Sequence, residues 1–309
     1  MSTLGWIVPS HRPRKNYLLK LVQSFLNFSE DTDLIIVWSY YDDNYFDSHS
    51  NFETRIKHLY LQDYYSLEDI KLFETTRSII NVKKLFAIIH EYTNYLGLVC
   101  TDDEVEFVKK FNGEEVFITM KKLSLFPATD ISSVVTKDRI IERVISECIK
   151  FIPDINDRIL MKEITKDFSI YSWFSNLPFY DSRDIPDFLK KFEILNYHSL
   201  SKISFFHFEH ILYQYYCILN GTKHYRVYDW SYEQLGIYNW FECFHLEKKH
   251  LYSLEYQNEF KPYWASSNSL LEVFDNAFCV FHTDRENIKV SKYLLCKHYL
   301  KLLLKTLIK

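Results

Sequence analysis

Three carboxylates in a row, Asp102, Asp103 and Glu104, close a short apolar run at 96–100. Adjacent negative charges are costly unless water or a cation neutralises them. Side chains alternate along an extended segment, so Asp102 and Glu104 point the same way. Such a pair offers the hard oxygen ligands that Mg2+ and Mn2+ prefer. The plain alternative is a solvated acidic turn, and spacing alone does not separate the two. Lys83 and Lys84 lie near the start of the helical pattern before this motif. A helix N-terminus with a lysine suits a diphosphate, although most lysines are simply solvated.

The surrounding pattern supplies elements to position these groups. Residues 5–10 form an apolar run ended by proline, as a buried strand would be. Residues 14–28 carry Leu18, Leu21, Val22, Phe25 and Leu26 at the spacing of one helix face. Residues 33–38 read as a second buried strand, 51–78 as mixed helix, 81–95 as an amphipathic helix, and 96–100 as a third strand. Repeated strand–helix–strand order predicts a mostly parallel sheet covered by helices. Ligands of such sheets sit outside the carboxyl ends of the strands. From about 112 onward strands are fewer and helix-like segments rich in aromatics prevail, as at 206–219. With no Pro/Gly/Ser linker and no repeat, one unit is expected over 1–309: a first half, 1–111, a second half, 112–290, and a basic helix, 291–309.

Composition narrows the function. The 309 residues are 47% hydrophobic, enough for a large core, and the net charge is only -4. Binding nucleic acid as the main task needs a broad basic face, which this balance disfavours. Glycine occurs only 5 times and never as GxG. Folds that cradle phosphates in Gly-rich loops are therefore disfavoured, whereas one that holds a diphosphate through a metal is allowed. The cysteines, at 100, 148, 217, 243, 279 and 296, show no CxxC spacing, so free thiols in a reducing cytosol are expected. No stretch of about 18 apolar residues predicts a membrane span, and no signal peptide is evident at the N-terminus.

The segment NVKKLFAIIHEYTNYLGLVCTDDEVEFVKKF, 81–111, resembles the central part of GT-A glycosyltransferases of bacterial cell-surface glycans such as lipooligosaccharide or capsule. In that family a helix with basic residues leads into a strand ending in Asp-x-Asp or Asp-x-Glu. The resemblance spans 1–111 and, more thinly, 170–285. It implies a GT-A-like α/β fold with a helix-rich C-terminal half, and a nucleotide-sugar donor (UDP-, CMP- or GDP-linked). It further implies Mn2+ or Mg2+ on Asp102 and Glu104, with Asp103 near the donor sugar. The register is either Asp102/Glu104 or centred on Asp103. The segment IVPSHRPRK is similar to the family's opening, which places Pro9, Ser10, His11 and Arg12 against the nucleotide. Asp43, or its neighbour Asp42, matches the acid that meets base or ribose, and Lys84 the diphosphate.

Farther along, an acid at the start of a long helix faces the acceptor or donor sugar in related enzymes. Glu209 fits best, beside His207 and His210, with Asp181 and Asp184 as further candidates. One of these carboxylates, Glu209 or Asp181 first, would serve as general base in an inverting transfer. His282 resembles a late histidine that completes the metal site in several GT-A families. Lys297, Lys301, Lys305 and Lys309 recur every four residues in the leucine-rich tail. That helix either lies on an anionic bilayer or docks on the core. The expected activity is sugar transfer to a glycan or lipid-linked acceptor, in the cytoplasm or on the inner membrane face. A metal-dependent phosphotransferase or nuclease and a non-catalytic glycan-binding protein are the alternatives.

Overall fold

The computed structural model describes residues 2–46, 54–103, 105–107, 110–122, 125–130, 139–166, 168–170, 178–222, 224–228, 250–253 and 279–282. Glu104 and the tail 291–309 lie outside these residues, and of Arg12 and His282 only the backbone is described. The elements in chain order are β1 (Ser2–Pro9), α1 (Lys15–Phe28), β2 (Asp33–Trp38), β3 (Ile56–Tyr60), α2 (Leu67–Thr75), α3 (Ile79–Glu91), β4 (Tyr95–Cys100), β5 (Val105–Phe107) and α4 (Gly113–Lys122). There follow β6 (Leu125–Asp130), α5 (Arg139–Lys150), α6 (Ile155–Ile164), β7 (Phe168–Ile170), β8 (Phe179–Asp181), α7 (Ile185–Lys191), α8 (Glu209–Leu219), β9 (His224–Tyr228), β10 (His250–Ser253) and β11 (Cys279–His282).

The main sheet has the order β3-β2-β1-β4-β8. Its first four strands are parallel, and β8 adds antiparallel to β4. Strand side chains alternate between faces, and the sequence is apolar on both. Leu4, Trp6 and Val8 of β1, Leu34, Ile36 and Trp38 of β2, and Val99 of β4 pack in one layer with Leu18, Leu21, Val22 and Phe25 of α1. Ile7, Ile35, Val37, Leu98 and Cys100 face the other way, onto Val82, Leu85, Phe86 and Ile88 of α3 and the apolar side of α8. Each large apolar side chain buried in these layers contributes about 2 kcal/mol relative to exposure. Cys100, Cys148 and Cys217 lie in that second layer as free thiols.

Two departures from the sequence reading concern the strands. The stretch expected to be mixed helix at 51–78 contains β3 as well as α2. All five β3 residues are only half-buried on this edge strand, so no apolar run announces it. The second half also supplies short strands: β6, β7 and β9 form one three-stranded sheet, while β5 joins β11 and β10 in another. Among the described residues no helix is long and apolar enough to cross a membrane.

Helix α3 is the central support. Residues 81–88 are buried without interruption, two lysines included. A helix enclosed on all sides normally carries only apolar residues, so the lysines need polar partners. Strand β5, which follows the acidic run, is fixed from the other layer. The Phe107 ring stands edge-on to Trp6 at 4.8 Å and to Phe25 at 5.5 Å. Its backbone N–H donates to Ser24 Oγ of α1 at 3.0 Å.

Candidate active site

The chain runs outward from β1 to β2 and β3, then returns to the opposite side of β1 for β4. Connections leaving the carboxyl ends of β1 and β4 therefore diverge and open a crevice between them. Residues 10–14 line one wall and 101–103 the other. Pro9 ends β1, and Ser10 N–H bonds Val37 O at 3.0 Å, which aims the next residues across the crevice.

Asp103 closes the crevice from beneath. Its Oδ2 accepts from Ser10 Oγ at 2.9 Å, and its Oδ1 meets Arg14 Nε at 3.0 Å. The side chain is 3% exposed. Asp103 is thus turned inward, tying β4 to the β1–α1 turn, and is not placed to touch a donor sugar as the resemblance implied. Asp102 is the outward acid: its side chain is 41% exposed, and its Oδ1 meets Lys84 Nζ at 3.0 Å. The strand-end geometry thus gives two adjacent acids opposite surroundings.

The lysines rise from α3 beneath both walls. Lys83 Nζ donates to Ser10 O at 2.6 Å. Burial pushes the Lys83 ammonium down to about 8, against the opposing pull of Asp43, Glu74 and Asp103. Burial acts on Lys84 in the same sense, but Asp102 and Glu209 overcome it and hold Lys84 above its ordinary value. His11 is half-buried; burial lowers its imidazole, Asp103 resists, and Lys83 and Arg14 reinforce the drop. Asp43 caps its own turn by accepting Tyr40 N–H at 3.3 Å, and its field reaches His11 and Lys83. Asp42 is exposed on the outside of that turn. Tyr45 lies close enough to Asp103 for burial and that carboxylate to raise its phenol, and its ring meets Trp38 at 5.5 Å.

Glu209 begins α8 and is brought to the cluster from below. Its side chain is 1% exposed, with Lys84 Nζ at 3.5 Å. Burial would raise the carboxyl, yet Lys84 and then His210 outweigh it and hold Glu209 below its ordinary value. An acceptor's base must reach the acceptor, and this carboxylate is enclosed, so the expected role of Glu209 is not supported by its position. Asp181 is not brought to the crevice. It pairs in register with Gly97, roughly 10 Å short of the carboxyl end of β4. There it is engaged by Arg183, at 2.9 and 2.6 Å. Asp184 sits nearby, accepting from Tyr213 OH at 3.2 Å. His207 is likewise occupied, its Nδ1 accepting Ser204 N–H at 3.1 Å.

No protein-family model matches this chain, and no curated protein matches it. The functional reading rests on the residues themselves.

Among the described residues, no three His, Cys, Asp or Glu side chains converge as a metal site. Asp103, with both oxygens engaged inward, does not fit a ligand role; Asp102, exposed at the crevice, does. Glu104, its expected partner, is outside the described residues. The backbone of His282 pairs with that of Val105 in the β11–β5 register, one residue beyond Glu104. Arg14 is the principal site residue that sequence reading missed. The signal was the basic run Arg12-Pro13-Arg14-Lys15 directly after β1, which reads as an ordinary solvated helix start.

Proposed function

We propose that this chain is a GT-A-type glycosyltransferase, which moves a sugar from a nucleotide-sugar to a glycan or lipid-linked glycan acceptor in the cytoplasm. The observation that carries this reading is the convergence at the β1/β4 switch point. There an exposed carboxylate, Asp102, faces the crevice while Arg14, Lys83 and Lys84 bring three cations beneath it. Nucleotide ligands of open α/β sheets bind at such a point. Sugar transfer leaves negative charge on the departing nucleoside phosphate, and fixed cations stabilise charge as it develops.

Asp102 and Glu104 are the residues that would hold Mn2+ or Mg2+, and such an ion, when bound, neutralises the leaving phosphate. Asp103 keeps the crevice in shape by joining Ser10 to Arg14. Ser10 O holds Lys83 at the end of β1. Glu209 serves as counter-charge for Lys84 and keeps that ammonium at the crevice. Asp43 and Tyr45, beyond His11, flank the place where a ribose or base would lie.

The test is release of nucleoside phosphate from UDP-, CMP- and GDP-sugars with Mn2+. Asp102→Asn should lower the rate by about 100-fold or more, since it removes a charge acting at the leaving group. If no donor is turned over, or if Asp102→Asn matches the native chain, the glycosyltransferase reading is wrong.

A further inference from the structure

The Trp38 indole stands at the carboxyl end of β2, fully buried, and donates its Nε1–H to His58 Nδ1 of β3 at 3.0 Å. An indole nitrogen only donates, so His58 Nδ1 must accept, and the neutral imidazole carries its proton on Nε2. The two rings lie stacked, their planes 23° apart. Phe46 packs on both, its centroid 5.8 Å from His58 and 6.3 Å from Trp38. Tyr45 stacks on Phe46 at 5.0 Å and stands edge-on to Trp38 at 5.5 Å. Residues 44–46 belong to no strand or helix. These ring contacts therefore hold the segment, helped by Asn44 Nδ2 on Tyr60 OH at 2.7 Å and Tyr45 OH on Lys15 O at 3.2 Å.

We infer that His58 is a pH-sensitive latch: neutral, it holds Trp38 and the 44–46 segment together, and protonated, it releases that segment and the Tyr45 wall of the crevice. A proton on Nδ1 turns the acceptor into a donor and sets two N–H groups against each other. The buried indole N–H is then left without an acceptor, which is destabilising. The charged and titratable groups of the surrounding elements are engaged elsewhere. Lys57, next to His58 on β3, meets Tyr95 and Asp33, and Lys15 of α1 lies over the Tyr45 ring. Asp43 accepts Tyr40 N–H, and the Tyr60 phenol accepts from Asn44. Burial lowers the His58 imidazole below its ordinary 6.5, and no neighbouring charge opposes this. Release exposes the ring to water and restores the ordinary value. The held state thus binds the proton less well than the released one: the latch is at full strength above 6.5 and weakens as pH falls below it. One pH unit below 6.5 shifts the balance toward release by up to about tenfold. The latch acts on the crevice wall whatever the crevice binds.

Amide hydrogen exchange of the full-length chain at pH 7.5 and 5.5, corrected for the intrinsic effect of pH, reads the opening of this segment. The reporters are Asn44 N–H, bonded to Tyr41 O at 3.1 Å, and Phe46 N–H, bonded to Asn44 Oδ1 at 2.9 Å. Their protection should fall by about tenfold at pH 5.5, while the amides of Leu98 and Val99 in β4 keep theirs. His58→Gln offers the indole a carbonyl oxygen that does not titrate, so protection should be the same at both pH values. His58→Phe offers no acceptor, and protection should be low at both. Equal protection at the two pH values in the native chain would overturn the latch. So would the same fall in His58→Gln, which would place the titrating group elsewhere. A matching fall at Leu98 and Val99 would show a general loosening in acid and remove the latch as its cause.

Discussion

Asp102 and Asp103 are adjacent in the chain, yet substitution should separate them cleanly. Asp103→Asn removes the charge that faces Arg14 and leaves one acceptor oxygen where Ser10 and Arg14 now use two. Breaking a buried pair in this way costs about 3 kcal/mol, which urea unfolding should register. Asp102→Asn removes the nearer charge from the enclosed Lys84 ammonium but leaves Glu209 as its counter-charge, and should cost less, about 1 kcal/mol. Equal midpoints for the two variants would contradict the inward placement of Asp103. Lys83 makes a second case. Its folded value of about 8 lies below the ordinary 10.5, so between these the unfolded chain binds the extra proton. Stability then rises with pH across that window, and below about pH 8 the buried ammonium exerts its full penalty. Lys83→Met should therefore raise stability at pH 7 by up to roughly 3 kcal/mol, with the gain shrinking toward pH 10. Melts at both pH values check this, and an equal gain at both would remove burial of charge as the cause. The sequence marked Lys84 and Asp102 as polar groups at a strand end and a helix start. It did not reveal that Glu209 is enclosed, because a charged first residue of a helix is ordinarily solvated.

At the scale of elements, the strands visible in the sequence are those buried on both faces. The strand β2 coincides with its apolar run, and β1 and β4 differ from theirs only at the ends. β3 was invisible because its polar residues have specific partners. Lys57 donates to Tyr95 OH at 2.6 Å, and His58 Nδ1 accepts from Trp38 Nε1 at 3.0 Å. Such long-range partners leave no mark in a local pattern. The docking of β8 depends on a single missing side chain. A Cβ at Gly97 would come within 2.7 Å of the Phe179 ring and 2.9 Å of Phe117. Gly97→Val should force these rings apart and cost about 1–3 kcal/mol, seen as a lower urea midpoint with an unchanged slope. A native-like midpoint would mean that β8 is not held tightly against β4.

For the molecule as a whole, the division of labour expected between 1–111 and the remainder is crossed by the fold. β8 extends the first half's sheet, and α8 delivers Glu209 to Lys84 of α3. Ligand binding at the crevice should accordingly stabilise elements from both halves together. A bound nucleotide-sugar with Mn2+ at 100 times its dissociation constant adds about 2.7 kcal/mol. Thermal melts with matched and mismatched donors should rank the nucleotides by that gain, and no gain from any donor would argue against a donor site. The three thiols of the inner layer come from β4, α5 and α8, which turns them into timekeepers of the intact structure. An alkylating reagent added to the native protein can reach Cys100, Cys148 and Cys217 only when the layers part. If the three peptides gain label at one common rate, the halves open as one cooperative unit. Cys217 labelled ahead of Cys100 would show α8 peeling from the sheet first, taking the counter-charge of Lys84 with it.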